Sequence, residues 1–589
     1  MLAPASALAT TTFGFVLVLS VAVPVAGILL AFTLGDRYVR QVALAVVPLG
    51  LAIAGAILLA VPQGGGLIVY LLGAWSPPLG VALRADGLSA VMLATTAIVI
   101  CAVAVFATTD FRPASDARTS FAFWILLLAV WAALNMIFVG GDLFTLYVAL
   151  ELLTFAAVPL VCLDGRAETL QAALRYLVFA LLGSVLYLLG AALLYGFYGT
   201  LDMVLMSRVV SAQPGVLIAV ALMTVGLLAK TALFPLHLWL PSAHAGAPAA
   251  ASAILSGLVV KGSFFILLRL WFDVIPGLHS LAATQFLAAL GTGAIVIGSV
   301  VALRQERLKL LVAYSTLAQI GYLFLIFPLA ANALGQLETG QAFAAGLLQA
   351  ISHASAKAAM FLAVGSIYTG LGHDRITGLG GVARVLPLSV LTFAVGGLAL
   401  MGVQPSGAAF AKELLLQEAT RTGQWWWAAV LHVGGMFTTA YVLLVLAYAL
   451  APSDQPIAPI QTALPSRDLP ALALAICSLL LGLVPWEPYL PISHDVLPKL
   501  FSSDGFAKLL LSVLGGATLA VLLNPWRHPL AASSGWKALE KVLEPLRRIC
   551  FGFGNLVEQA DGLLREWAAA GISLLLLGLA LAVLMFAAN

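Results

Sequence analysis

Residues 226–262 read GLLAKTALFPLHLWLPSAHAGAPAAASAILSGLVVKG. Two apolar runs are joined by a short proline-containing linker; Lys230 lies in the first and Lys261 in the second. A lysine at the centre of a membrane helix costs roughly 2.5–3.5 kcal/mol on insertion scales, so two of them in one stretch require a reason. Pro235 removes a backbone hydrogen bond and clashes with the preceding turn, which predicts a break in the first helix. Such a break at membrane depth is tolerated where the backbone lines a cavity or is buried in protein. His237 and His244 follow the break and are read either as groups that feed or drain an ion path or as plain hydrogen-bonding residues.

The rest of the chain has the same solvent. Of 589 residues, 62% are hydrophobic and 9% charged, and the mean hydropathy is +1.08, whereas an ordinary soluble domain carries about 25% charged residues. The net charge of +3 is spread along the loops and supplies no basic field for nucleic acid, which is excluded as a partner. Cys101, Cys162, Cys477 and Cys550 are isolated and lack the spacing of a zinc, haem or iron–sulfur site. No cofactor is expected, and with no GxGxxG loop and no soluble domain the chain is not by itself an oxidoreductase.

A hydrocarbon core about 30 Å thick needs roughly 20 apolar residues per helix. Such segments lie near 12–33, 41–61, 87–108, 120–139, 142–163, 172–197, 215–238, 246–270, 281–303, 309–329, 342–370, 386–415, 426–450, 469–489, 506–524 and 568–588. The fold class is therefore an all-α polytopic membrane protein with about 14–16 spans. The first basic residue, Arg37, follows the first apolar run, which is read as a retained helix rather than a cleaved signal. Loops after odd-numbered segments hold Arg37, Arg40, Arg112, Arg118, Arg166, Arg175, Arg304, Arg307, Lys309, Arg375, Arg384, Arg467 and the cluster from Arg527 to Arg565. Positive charge marks the cytoplasmic side, so both termini are expected on the non-cytoplasmic side. Between 535 and 567, Leu539, Val542, Leu543, Leu546, Ile549 and Phe553 recur at helical spacing opposite Lys541, Arg547 and Arg548. That pattern predicts an amphipathic helix along the cytoplasmic surface, contacting lipid or a partner.

Further ionisable residues stand inside apolar segments: Glu151 in the fifth, His353 and Lys357 in the eleventh, and Lys412 in the twelfth. Lys412 precedes Glu413 and on its own could snorkel from a helix end, but Glu151 and Lys261 are mid-span. His353 and Lys357 are four apart and share a helix face. Gly402, Pro405 and Gly407 before Lys412 predict a second broken helix. The broken seventh and twelfth segments are five apart and so cross in opposite directions, the arrangement of an inverted repeat with a transport site at its breaks. This divides the chain into N-terminal helices 1–110, repeats 120–270 and 281–450, extra helices 451–530, and the surface helix with a last span at 531–589.

Low dielectric disfavours a charged lysine and a nearby carboxylate favours it. If Glu151 pairs with Lys230, withdrawing the carboxylate would release the lysine proton towards Lys261, His353, Lys357 and Lys412, and a coupled row would titrate as one system. Proton translocation, or exchange of protons for another cation, is the reading this row favours. A standalone transporter of a small solute would predict a polar midplane pocket, and a structural membrane anchor would predict that the buried charges are dispensable.

At these residues the chain resembles the antiporter-like membrane subunits shared by respiratory complex I, membrane-bound hydrogenases and Mrp-type sodium/proton antiporters. The likeness is carried by LYVALELLTF (146–155), the quoted stretch 226–262, LKLLVAYSTLAQIGY (308–322), ISHASAKAAMFL (351–362) and GLALMGVQPSGAAFAKELLL (397–416). YLLGAWSPPLGVALRADGLSA (70–90) more narrowly resembles the branch formed by the D-type Mrp proteins and the hydrogenases. The resemblance implies 14 or more helices with two inverted five-helix repeats. It implies that Glu151 and Lys230 form an input pair, Lys261 with His353 or Lys357 a central relay, and Lys412 an outlet. It also implies a cell inner membrane location, other membrane subunits as partners, and protons, with Na+ left open, as the ions moved. The chain departs from the family's pattern at GVQPSGAAFAK, where a PPFSGFF-like stretch is common, and at Ser242 and Gly246, where relatives often carry acids.

Overall fold

The computed structural model describes residues 9–111, 116–278, 280–332, 335–453, 465–492, 503–524 and 534–586, with the side chains of 465, 503, 504, 506 and 534–543 excepted. Among these, fourteen helices are long and apolar enough to cross a membrane, and two shorter apolar helices accompany them. Together with two less apolar helices, Gly407–Arg421 and Ser534–Leu564, they are in chain order α1 (Phe15–Leu34), α2 (Val39–Gln63), α3 (Gly87–Ala107), α4 (Ala117–Val139), α5 (Leu143–Val161) and α6 (Ala167–Tyr198). Then come α7 (Pro214–Thr231), α8 (Ala249–Val274), α9 (Leu281–Arg304), α10 (Leu308–Leu329), α11 (Gln341–Leu371), α12 (Pro387–Met401) and α13 (Gly407–Arg421). The chain continues through α14 (Trp425–Leu450), α15 (Ser466–Leu483), α16 (Ser503–Leu523), α17 (Ser534–Leu564) and α18 (Trp567–Phe586). Arg112, Arg527 and the side chains of Leu539, Lys541, Val542 and Leu543 lie outside the described residues.

Both predicted breaks are present. α7 stops at Thr231 because Ala232 takes the left-handed conformation (φ 57°), its N–H closing on the Ala229 and Leu228 carbonyls. Pro235 has no N–H to resume the ladder, and the chain runs unwound to a short helix at Leu240–Gly246. α12 stops at Met401 in the same way, with Gly402 left-handed (φ 82°) over the Ala399 and Leu398 carbonyls. α13 restarts beyond Pro405, capped by the Ser406 hydroxyl accepting from the Ala409 N–H at 3.1 Å. The segment expected near 386–415 is thus two helices.

Two features differ from the sequence expectation. A β-hairpin, β1 (Leu67–Leu71) paired antiparallel with β2 (Ala82–Asp86), follows α2. It arises in a stretch whose turn signals read as a loop between spans. α8 contains two π-helical segments, Leu255–Val259 and Arg269–Val274, which periodicity alone does not register.

The core sits around α8 and α11. Every residue in the most apolar windows of these two helices is buried, whereas α1 and α18 are mostly exposed to the surroundings. α8 packs closely on α11, where Gly257 lies so near that an added Cβ would stand 3.1 Å from the Ala354 carbonyl. The helices that carry Lys261, His353 and Lys357 are therefore the ones furthest from lipid. β2 also supplies Arg84, whose Nη1 meets Asp202 Oδ2 at 2.8 Å and the Gly141 carbonyl at 3.1 Å. Arg84→Ala leaves Asp202 buried without this partner, and a loss of about 3–5 kcal/mol is expected. It reads out as an early unfolding transition of the detergent-solubilised protein; an unchanged transition would mean that the pair holds nothing.

Candidate functional site: a buried line of charged side chains

α5 and α7 meet at the first pair. Lys230 Nζ lies 3.3 Å from Glu151 Oε1, donates to the Thr154 hydroxyl at 2.8 Å, and reaches the Leu150 carbonyl at 3.3 Å. The lysine is buried, while the Glu151 side chain keeps 15% exposure on the outer face of α5, between the exposed Leu152 and Phe155. A cavity of about 10 Å³, lined in part by Lys230, Thr154, Tyr176 and Ser263, opens beside the amine, on the scale of one water. The Thr231 hydroxyl donates to Ser263 of α8 at 3.0 Å, tying the end of α7 to the turn after Lys261.

Lys261 is 1% exposed, and its amine donates to the Ser256 carbonyl inside the first π-helical segment. A π-turn frees a carbonyl from the regular ladder, and here that carbonyl receives the buried ammonium. Ser256 in turn bonds the Thr316 hydroxyl of α10 at 2.8 Å. One residue earlier on α10, Ser315 accepts from Lys357 Nζ, and the same amine stands 5.6 Å from the centre of the Tyr441 ring. His353 is fully buried, and neither ring nitrogen has a hydrogen-bond partner among the described residues. It shares a helix face with Lys357 without a bond between them.

Uncharged groups continue the row. Gln319 of α10 donates to Tyr441 and Thr438 of α14, both at 3.1 Å, and accepts from Gln349 of α11 at 2.9 Å. Gln319, Tyr322, Gln349 and Lys412 then share a cavity of about 30 Å³ beside the break at Gly402. Lys412 is half-buried. Its neighbour Glu413 is engaged by Lys508 of α16 at 3.3 Å, which leaves the Lys412 amine against Gly435 rather than paired with the adjacent acid.

The two histidines after the α7 break differ. His237 is fully buried and its Nε2 lies 2.8 Å from Asp561 Oδ1 of α17. His244 has no partner on either nitrogen among the described residues and stacks on Phe361 of α11, centroids 4.7 Å apart. Beside it a cavity of about 420 Å³ is lined by Asp164, Arg166, Glu168, Arg307, Lys309 and Asp374 together with Ser242 and Gly246. Although burial works in the opposite sense, the Thr169 hydroxyl and Arg166 hold the Asp164 carboxyl below the usual carboxylate range. No group of His, Cys, Asp and Glu among the described residues forms a metal cluster.

Sequence reasoning misses the groups that connect the charges. Gln319 stands out as an amide within an apolar run, and Thr154 as a hydroxyl one turn from Glu151, but neither carries a charge. Tyr441 and Asp561 give no local signal.

The fold and this row define a class: a polytopic membrane protein of the antiporter type, with ionisable groups threaded through the centre of a helical bundle. Residues 140–438 match the family described as NADH:quinone oxidoreductase/Mrp antiporter, TM, and the chain belongs to that family. It is 31% identical to the NADH-quinone oxidoreductase subunit N of Desulforudis audaxviator, over 70% of this chain and 84% of the relative. It is 30% identical to the D-type component of the Na(+)/H(+) antiporter of Alkalihalophilus pseudofirmus, over 68% of this chain and 80% of the relative. Among solved structures, a chain of the Mrp complex from Dietzia sp. superimposes with a TM-score of 0.72 at 25% identity, covering 87% of this chain and 98% of that one. The matched family region ends at 438 and does not include α15 to α18.

Proposed function

We propose that this chain is a proton-translocating membrane subunit of a multi-subunit complex, either a redox-driven pump or a cation/proton antiporter. Protons move along Glu151, Lys230, Lys261, His353, Lys357 and Lys412, with His237 and His244 serving the approach to the row. The observation that carries this reading is the Glu151–Lys230 pair. Its lysine is buried at a helix break, and its carboxylate sits at the bundle's edge, where a neighbouring subunit can draw it away. Withdrawal leaves the Lys230 ammonium with Thr154 and a carbonyl alone, which favours proton release into the adjoining water-sized space. The proton then has lysines of α8 and α11 to visit, and the Gln319–Tyr441–Gln349 cluster leads from Lys357 towards Lys412.

Cavities of about 10 and 30 Å³ along the row suit water and protons, whereas the cavity of about 420 Å³, roomy enough for a small solute, lies among the charged residues Asp164, Arg166, Arg307 and Asp374 at the helix ends rather than along the row. The breaks at Ala232 and Gly402, five spans apart, support inverted repeats over 120–270 and 281–450. The relatives' names include both a quinone oxidoreductase and a sodium/proton antiporter, so sodium enters as a candidate second ion. We place the chain in the cell inner membrane beside other membrane subunits, with the loops after odd-numbered spans facing the cytoplasm and both termini on the other side.

Glu151→Gln keeps the shape of the input group and removes its charge. Proton movement by the assembled complex in vesicles is expected to fall about tenfold or more, the equivalent of one pK unit or greater. A wild-type rate would remove Glu151 from the path.

A further inference from the structure

The surface helix α17 docks through a mixed face, on which Gly554 and Val557 are buried beside Asp561. Phe551, Gly554, Asn555, Glu558 and Asp561 recur at helical spacing on the side that meets the bundle. Arg304, at the end of α9, forms an ion pair with Glu558 at 2.9 Å, donates to Asn555 Oδ1, and lies over the Phe551 ring at 4.6 Å. Leu546, Ile549, Leu556 and Leu563 remain exposed. One turn past Glu558, Asp561 is 2% exposed. Its Oδ1 lies 2.8 Å from His237 Nε2, and its Oδ2 accepts from the Tyr314 hydroxyl at 2.8 Å. Arg565 Nε stands 3.2 Å from Oδ2, on a side chain 37% exposed.

This cluster bridges water and the row. Arg565 faces outward, His237 sits in the unwound segment that follows Lys230, and His237 Nδ1 is buried with no partner among the described residues. Tyr314 is the sequence neighbour of Ser315, which holds Lys357. A carboxylate is an expensive group to bury on a helix that could have stayed in the interface, and a purely apolar docking face would have served attachment alone.

We infer that Asp561 and His237 form a proton-exchange pair joining the surface under α17 to the break in α7, an assignment that rests on the proton-relay reading of the row. In one direction, Nδ1 takes a proton from the break and Nε2–H passes its proton to the Asp561 carboxylate. The carboxylic acid then releases it to water near Arg565, and tautomer exchange restores the ring. The opposite direction runs the same transfers in reverse, so no proton is created or lost. Although burial alone would raise it, the hydrogen bond and charge of His237, with Arg565 and Tyr314, hold the Asp561 carboxyl below the usual carboxylate range. The carboxylate is accordingly the resting, accepting form. The groups facing the pair are Tyr314 from α10, Glu558 and Arg565 from α17 and its end, and Arg304 from α9, which Glu558 engages.

The test uses the whole complex in vesicles and compares Asp561→Asn, Asp561→Glu, His237→Gln and the Asp561→Asn/His237→Gln double variant, with Lys230→Ala in the same series. Asp561→Asn removes the carboxylate that receives the proton from His237 Nε2–H. Proton movement is expected to drop about tenfold. Asp561→Glu restores most of the rate, and the double variant loses no more than either single one. A wild-type rate for Asp561→Asn, with Lys230→Ala inactive, would overturn this inference and leave the relay standing. An active Lys230→Ala would overturn the relay itself. Should Asp561→Asn fail to assemble, His237→Gln decides, since its amide still donates to Asp561 but cannot carry a proton: a wild-type rate contradicts the pair, and a loss of about tenfold supports it.

Discussion

Lys230→Ala is expected to reduce proton movement by roughly 100-fold or more, because a positioned proton-transfer group contributes on that scale and no other amine among the described residues stands at the break of α7. The substitution deletes the ammonium that meets Glu151 at 3.3 Å and Thr154 at 2.8 Å. What remains is a carboxylate at the bundle edge with nothing to pair with inside, so a charge arriving from a neighbouring subunit has no proton to displace. Assembly should survive, since Gly183 and Gly226 still bring α6 and α7 into contact and Glu151 keeps a route to the surface. Lys230→Arg is a sharper variant. It keeps the positive charge but cannot release its proton in the working range, so transport should be lost even though the ion pair persists. Gel filtration of the complex and dye-monitored proton flux on the same preparation separate loss of transport from loss of assembly.

Lys357→Leu has the second largest expected effect and separates function from stability. The Lys357 side chain is fully buried, with Ser315 and the Tyr441 ring as its surroundings. An apolar side chain of similar size avoids the desolvation that the ammonium suffers, and such replacements are often neutral or stabilising by about 1–4 kcal/mol. The protein should therefore melt at or above the wild-type temperature in detergent while proton movement falls by roughly 100-fold. A parallel loss of both would make Lys357 a structural residue. Normal transport would exclude it from the path.

The sequence made the lipid-facing architecture legible because membrane spans are long and lipid tolerates only closed backbone ladders. Pro235 and Pro405 marked the breaks for the same reason, and the cost of burying charge singled out Glu151, Lys230, Lys261, His353, Lys357 and Lys412. Other parts were not legible. The π-turn that offers the Ser256 carbonyl to Lys261 depends on packing of α8 against its neighbours, and the hairpin at Leu67–Asp86 is too short to compete with the hydropathy signal around it. The connectors Thr154, Gln319 and Tyr441 are ordinary residues in apolar helices until α5, α10 and α14 bring them to a charged group. Asp561 is the clearest case. Along the chain it is one acid among several on an amphipathic helix, 324 residues from His237, and only the docking of α17 places it at the break.

The central claim is that the buried charges move protons. It is tested most directly by reconstituting the chain with its native partner subunits in vesicles and recording proton movement with a pH-sensitive dye. Wild type is compared with Lys230→Ala and Glu151→Gln, with and without sodium. Both substitutions are expected to abolish or sharply reduce proton movement in complexes that still assemble, and sodium dependence of the wild-type signal would assign the chain to the antiporter type. Undiminished proton movement in both variants would contradict the account and reduce the charged row to a structural element.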